Sequence, residues 1–394
     1  PIRFERLINS AYEQSGRGVV ILIDEYDAPI VSCFDNPEVL EYNRTNLHDF
    51  YAVMKKMDSK LRFVLLTGVG KLGKISAFSG LNNLRDITMD PEYATICGLT
   101  GEELHGYFDS GIRELATEHG WSADEAYLKL KKMYDGYHFA RNLKDIYNPF
   151  SIIYCLVEKR LGDYWFASGT PSHLLYVLQQ SRADLSRLNG AEISVSSLNS
   201  ADVIQYDPVP FMFYTGYLTI KSYEQEEFGD DTVTLGYPNL EVSRGFLYQL
   251  LPMVTAVTES EAGSYIRELT RRLRTGDIDG FMETMRIFYA GIPYELSVRN
   301  EYYYQNVMYC IARLLGFSVQ AEYRTSCGRI DLVVANAETI YVIEFKFDGS
   351  AEEALAQIES KEYALPFALD GRRVVKIGAN FSPSTRTLDK WIIA

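Results

Sequence analysis

GRIDLVVANAETIYVIEFK, residues 328–346, decides the fold of the C-terminal part of this chain. IDLVVA and TIYVIEFKF are two runs of β-branched and aromatic residues, and Asn336-Ala337-Glu338 between them offers a turn, so the stretch predicts a β-hairpin. Side chains two apart on a strand share a face, so Glu344 and Lys346 project together. Asp331 starts the partner strand, thirteen residues before Glu344, and can reach the same spot. Two carboxylates beside a lysine suit a hard cation such as Mg²⁺, which takes one or two carboxylates and keeps several waters. A cation so held can polarise a phosphate and acidify a water.

The plainer alternative is a surface hairpin whose Glu344 and Lys346 are solvated. The neighbours argue against it. Tyr341, Val342, Ile343 and Phe345 surround Glu344, so the strand reads as buried on both faces, and a buried charge needs a partner or a ligand.

The rest of the composition sets bounds. The chain has 394 residues, 47% of them hydrophobic, which allows two or three domains with sizeable cores. No apolar stretch is long enough to span a bilayer, and no signal peptide stands out, so the expectation is no membrane partner. The 5 cysteines are scattered with no CxxC pair, and the 5 histidines form no HExxH, which argues for a reducing cytoplasm and against a zinc site. A net charge of −14 gives no global steering toward phosphates. Arg267, Arg271, Arg272 and Arg274 are one candidate basic patch, read as a solvated helix face ahead of a phosphate patch.

From the N-terminus, Ile2 to Gln14 has helical apolar spacing. Val19–Ile23 then leads into Asp24-Glu25, as a buried parallel strand with acids at its carboxyl end. A mixed helix over 36–60 precedes a second buried strand, Leu61–Leu66, ending at Thr67-Gly68. Residues 68–74, GVGKLGK, fit the spacing of a phosphate-binding loop, but Ile75 stands where its Ser or Thr belongs. Turn formers follow instead of a helix, and the stretch comes after the acidic strand instead of before it, so it is rejected. Residues 90–147 read as largely helical, with capping boxes at Thr100–Glu103 and Ser122–Glu125. Tyr134, Tyr137, Tyr147 and Phe150 read as packing anchors. Later, a short helix at 210–216, a hairpin over 217–235 and a helix from Glu241 suggest a winged-helix-like unit. Its wing carries Glu224, Glu226, Glu227, Asp230 and Asp231, which favours packing or a protein contact over DNA. The C-terminal module reads α-β-β-β-α-β. A helix from Asn300 to Leu315 comes first, a capping box at Ser350–Glu353 opens the second helix, and Val374–Ile377 is the last strand.

Several motifs together, GRIDLVV…YVIEFKF, SAEEALAQIESKEYA and VVKIGANFS, with LIDEYDAPI, SGLNNLRDIT, YDGYHF, YNPFSI, YWFASGTP and TGYLTI upstream, resemble bacterial AAA-ATPase-like proteins with a C-terminal PD-(D/E)XK nuclease domain. The resemblance covers nearly the whole chain. It implies an α/β architecture: a truncated P-loop-type sheet over 1–95, a helical region with the winged-helix-like unit over 96–285, and a restriction-endonuclease-like fold over 286–394. It implies that Asp24 and Glu25 form a Walker B pair and that Thr67 tips the sensor strand. It implies that Asp331 and Glu344 hold Mg²⁺ or Mn²⁺ with the Phe345 carbonyl, while Lys346 serves the attacking water and the developing charge. Glu301 would join the metal site and Gln357 would help place substrate or water, with Tyr363 following the same pattern. On the residues alone, Glu301 is also a favourable first-turn glutamate and Gln357 a surface polar residue.

The family's GKT-type loop belongs well upstream of LIDEYD, and here only a helix and a strand precede Asp24, so the expectation is a chain without its phosphate loop. ATP is then expected only in a longer form. The expected reaction is metal-dependent hydrolysis of nucleic acid, DNA by preference. The alternatives are a non-catalytic interaction protein built on a nuclease scaffold, with a protein partner or a second copy, and a nucleotide switch.

Overall fold

The computed structural model describes residues 1–33, 36–69, 84–167, 174, 177–178, 181, 185–200, 207–255, 257–292, 301–315 and 318–394. The chain divides into two compact units, residues 1–183 with 188–240, and residues 184–187 with 241–394. This boundary falls inside the 96–285 region expected from sequence.

The first unit begins with α1 (Ile2–Ser15), β1 (Val19–Ile23), α2 (Pro37–Lys56) and β2 (Leu61–Leu66). Glycine ends α1 because Gly16 caps it at φ 61°, in the left-handed region. Asn36 caps the start of α2 by accepting the Val39 N–H. The two strands pair in parallel, and Ile8, Ile21, Tyr26, Ile30, Tyr51 and Met54 fill the core beside them. Both strands were expected to be buried. Instead Val20, Leu22 and Phe63 are 50%, 68% and 52% exposed. A run apolar at every position has two faces to cover, and among the described residues only one face of this two-stranded sheet is packed.

Next come α3 (Gly101–His119), α4 (Ala123–Tyr134) and α5 (Pro149–Glu158). Both predicted capping boxes form: the third-position glutamate N–H donates to the cap hydroxyl, and the glutamate carboxylate accepts the cap residue's backbone N–H. Tyr134, Tyr137 and Tyr147 are buried as expected, but Phe150 is 40% exposed, on the outer side of α5 against Tyr154. In the YDGYHF motif, His138 binds the neighbouring sheet: its N–H donates to Thr219 Oγ1 (2.6 Å), and the Thr219 hydroxyl donates back to the His138 carbonyl (2.7 Å).

That sheet is antiparallel, ordered β3 (Ala191–Ser194), β5 (Thr232–Gly236), β4 (Thr219–Glu224), with α6 (Pro208–Tyr214) leading into it. The hairpin and the helix before it were legible in the sequence; the third strand, β3, was not. Two acids of the hairpin are structural. Asp231 accepts from the Tyr223 hydroxyl (2.6 Å) and the Glu226 N–H (3.1 Å), and Asp230 accepts from Ser196.

The second unit holds α7 (Leu240–Thr255), α8 (Glu259–Arg274), α9 (Ile278–Ala290) and α10 (Glu301–Leu314), then a five-stranded sheet. Its strands are β6 (Ser318–Thr325), β7 (Gly328–Ala335), β8 (Thr339–Phe347), β9 (Arg373–Ser382) and β10 (Thr387–Ile393), with α11 (Ala351–Ser360) between β8 and β9. The order is β10-β9-β8-β7-β6, with β8 and β9 parallel and the other pairs antiparallel. A helix between two parallel strands is what a crossover requires. The predicted α-β-β-β-α-β order holds, and β10 extends it by one strand.

The central strand, β8, is covered on both sides. On one side Tyr304 of α10 and Tyr289 of α9 pack on Phe381, with Phe345 and Phe347 beside them. On the other, Ile340 and Val342 meet Ile358 of α11. The predicted apolar face of α10 (Tyr304, Val307, Met308, Ile311) is buried throughout.

Candidate active site

The hairpin turn forms as the sequence dictates: Asn336 Oδ1 accepts the N–H groups of Glu338 (2.9 Å) and Thr339 (2.7 Å). From there β7 and β8 pair as far as Leu332 opposite Ile343, and then the ladder stops. The next residues would be Asp331 opposite Glu344. Their side chains replace the ladder instead. The Phe345 N–H donates to Asp331 Oδ2 (2.8 Å), and the Asp331 N–H donates to Glu344 Oε2 (3.4 Å). The strands fork there, and the fork holds two carboxylates.

Glu344 is 2% exposed. Burial, and then the negative charge of Asp331, push its carboxyl up to about 8, and Lys346 pulls the other way without winning. Lys346 Nζ lies 3.7 Å from Glu344 Oε1 and donates to Gln357 Oε1 at 2.6 Å. Gln357 in turn donates through Nε2 to Glu344 Oε1. One amide thus bridges the lysine and the acid, with its carbonyl facing the cation and its NH₂ facing the carboxylate, which fixes its orientation.

Three features place α11 so that Gln357 reaches the fork. The Ser350 capping box starts the helix. Buried Asn380, opposite Lys346 on β9, accepts the Gly349 N–H at 3.0 Å and holds the loop before it. Gly378, opposite Glu344, lets the helix come close, because a Cβ there would lie 2.4 Å from the Ala351 carbonyl oxygen and 2.5 Å from the Leu355 nitrogen. Gly378 and Asn380 lie in the VVKIGANFS motif, but their roles beside Glu344 and Lys346 emerge only from the β8–β9 register.

The structure therefore brings together Asp331, Glu344, Lys346 and Gln357, with Phe345 N–H inside the same fork. Tyr363 is buried beyond the end of α11, its hydroxyl 2.7 Å from where a Cβ on Gly328 would stand. Glu301 is the first residue of α10, as predicted, and its side chain lies outside the described residues.

At the far end of the chain, Asp24, Glu25 and Thr67 also meet. The Thr67 hydroxyl donates to Asp24 Oδ1, which also accepts the Glu25 N–H at 3.1 Å. The Thr67 N–H bonds the Ile23 carbonyl, and the Thr67 carbonyl accepts the Tyr26 N–H, both at 2.9 Å. Asp24 and Glu25 are exposed, whereas Asp27 of the same motif is buried against Tyr26 and Gly68. Burial and Asp27 raise the hydroxyl pKa of Tyr26 and push that of Tyr51 up to about 12. Most of the rejected phosphate-loop spacing, from Gly70 through Lys74, lies outside the described residues.

The arginine run on α8 is largely paired. Arg271 forks onto Glu268, and Arg272 bonds both Glu268 and Asp277. Arg267, Arg271 and Arg274 line a shallow groove along that helix. This matches a solvated helix face. Among the described residues no group of three or more His, Cys, Asp and Glu could hold a metal ion, and no helix is long and apolar enough to cross a membrane.

Comparison with known proteins follows the same division. The family model described as the PD-(D/E)XK nuclease superfamily matches residues 299–391, and that described as a predicted AAA-ATPase matches residues 2–78. A protein of Azotobacter chroococcum mcd 1, described as "Uncharacterized protein in vnfD 5'region", is 32% identical over 402 residues, covering 99% of this chain and 74% of the relative. No solved structure matches the chain. The chain belongs to the family of proteins that join a predicted AAA-ATPase-like region to a C-terminal PD-(D/E)XK nuclease-superfamily domain.

Proposed function

We propose that this chain hydrolyses phosphodiester bonds of nucleic acid, DNA ahead of RNA, at the β7–β8 fork with a divalent metal ion. The observation that carries the reading is the buried pair Asp331 and Glu344. Burial and the charge of Asp331 hold a proton on Glu344 against the pull of Lys346, and a divalent cation would take that proton's place. The donors are all oxygens, which suits Mg²⁺ or Mn²⁺. Asp331 and Glu344 would hold the ion, with the Phe345 carbonyl and Glu301 as further ligands. Mg²⁺ bound there supplies a Lewis acid and an acidified water.

The chain's own groups do the rest. Water oxygen forms the new bond to phosphorus as the bond to the leaving oxygen breaks. Lys346 stands beside the carboxylates to offset charge building on the phosphate oxygens. Gln357 keeps the lysine aimed there. Asp24, Glu25 and Thr67 form the nucleotide-sensing corner of an ATPase-like module over 1–95. Residues 96–285 contribute a winged-helix-like unit that makes packing or protein contacts, and 286–394 are the nuclease domain.

The second reading is a non-catalytic scaffold that binds a protein partner or a second copy. The net charge of −14 favours it, since such a chain repels phosphate overall. Cleavage of labelled single- and double-stranded DNA and RNA with Mg²⁺, Mn²⁺ or chelator separates the two. Metal-dependent cleavage lost in Lys346→Ala supports the nuclease, and no cleavage of any substrate supports the scaffold.

A further inference from the structure

The side chain of Asn380 spends only its oxygen. Oδ1 accepts the Gly349 N–H at 3.0 Å, which fixes the way the amide faces and leaves Nδ2 with two N–H donors. Among the described residues no acceptor meets Nδ2. Asn380 is 5% exposed, and a donor so nearly buried with no protein acceptor is left to water or a ligand.

The neighbours across the sheet cannot relieve it. β9 sets Asn380 beside Lys346 on β8 and opposite Lys390 on β10. Partners on neighbouring strands project from one face, with the strands about 4.8 Å apart. This is the face that α11 covers: Lys346 bonds Gln357 and Lys390 bonds Glu352, both of α11, and Gly378 on the same face stands against the helix backbone. Lysine carries donors and no acceptor, so neither neighbour can take a hydrogen bond from the amide. The three residues form a row of donors across β8, β9 and β10. Both lysines find acceptors on α11, and the amide between them does not. The row begins at the fork, because Lys346 lies 3.7 Å from Glu344. A non-bridging phosphate oxygen is the kind of acceptor such a row lacks, and hydrogen bonds to a charged acceptor are the strong ones. An amide already held by a backbone N–H needs no reorganisation to make one.

We propose that Asn380 is a further catalytic residue, donating through Nδ2 to a non-bridging oxygen of the phosphate that Lys346 serves. Its oxygen holds the loop before α11 and its nitrogen holds the substrate. The inference rests on the nuclease reading for that substrate, and its test reads nucleic-acid binding apart from metal binding and from cleavage.

The test uses the whole chain as wild type, Asn380→Asp and Asn380→Ala. Asn380→Asp keeps an oxygen for the Gly349 N–H and loses the donor. Asn380→Ala loses both and adds no charge. Mn²⁺ titration without nucleic acid reads the fork. Binding of fluorescein-labelled duplex and single-stranded DNA reads the donor, with Ca²⁺, which takes the same oxygen ligands, in place of Mg²⁺. Both variants are expected to bind Mn²⁺ no more weakly than wild type, and DNA more weakly by roughly tenfold or more. Mn²⁺ and DNA affinity falling together in Asn380→Ala overturns the inference, by making the residue purely structural. Unchanged DNA affinity in Asn380→Ala overturns it too, since a loss confined to Asn380→Asp is repulsion by the added charge. Unchanged DNA affinity in Asn380→Asp, or a wild type that binds neither DNA form, has the same force. Weakened DNA binding in a chain that never cleaves with Mg²⁺ leaves the contact standing and removes the hydrolytic reading. Unchanged binding in a chain whose cleavage requires Asp331 does the reverse.

Discussion

Asp331 and Glu344 each bind the other's strand: Asp331 Oδ2 accepts the Phe345 N–H at 2.8 Å, and Glu344 Oε2 accepts the Asp331 N–H at 3.4 Å. This exchange replaces the ladder where β7 and β8 part. Each acid therefore has two jobs, satisfying a backbone donor and contributing charge to the fork. The substitutions that test the site have to separate those jobs. Asp331→Asn keeps an oxygen for the Phe345 N–H and removes the charge. It is expected to leave the melting temperature unchanged or higher, while Asp331→Ala also orphans the N–H and costs about 1–2 kcal/mol. Denaturant unfolding of the two variants measures the difference.

Glu344 makes stability depend on pH. Its folded pKa of about 8 lies above the ordinary glutamate value, so the folded state binds a proton that the unfolded state gives up. That contribution is fully present below the unfolded value near 4.3 and is lost as pH rises through about 8. The metal-free chain is expected to lose stability across this window, by on the order of a few kcal/mol. Glu344→Gln should flatten the profile. Melting curves between pH 5 and 9 in chelator, with and without the substitution, decide it.

Gln357 links Lys346 to Glu344. Gln357→Leu fills similar space and bonds neither group. We expect a loss of about 1–2 kcal/mol of stability. Without its amide donor, Glu344 also holds its proton more tightly, so metal binding begins at a higher pH. Titrating Mn²⁺ at a series of pH values tests this, and an unmoved pH onset would show that the amide does not tune the acid.

Gly378 sets the approach of α11. A methyl group there meets the Ala351 carbonyl and the Leu355 nitrogen, both backbone, so neither can swing aside. Gly378→Ala is expected to push the helix out, cost on the order of 1–3 kcal/mol, and part Gln357 from the fork. Activity should fall more than stability accounts for. A variant with wild-type cleavage would show that the helix has room.

The C-terminal hairpin was legible because both signals that specify it are local: alternating β-formers and an Asn turn that bonds its own backbone. Glu344, Lys346 and Gln357 were legible by spacing and resemblance, and they converge. What escaped is non-local. The role of Gly378 depends on a parallel partner more than thirty residues away. The strand β10 escaped because Lys390 and Asp389 interrupt a short apolar run whose partner is set by tertiary pairing. Burial of β1 and β2 was overestimated for the same reason: an apolar run states what could be buried, and the exposed Val20, Leu22 and Phe63 show that packing decides.

Mn²⁺ calorimetry at a pH above 8, where Glu344 is ionised, tests the central claim most directly, on the whole chain and on Asp331→Asn, with a nuclease-resistant oligonucleotide present. Binding at the Asp331–Glu344 fork predicts a saturable heat in the wild type that disappears in the variant. Equal heats in both, or no metal binding to the wild type, would contradict it.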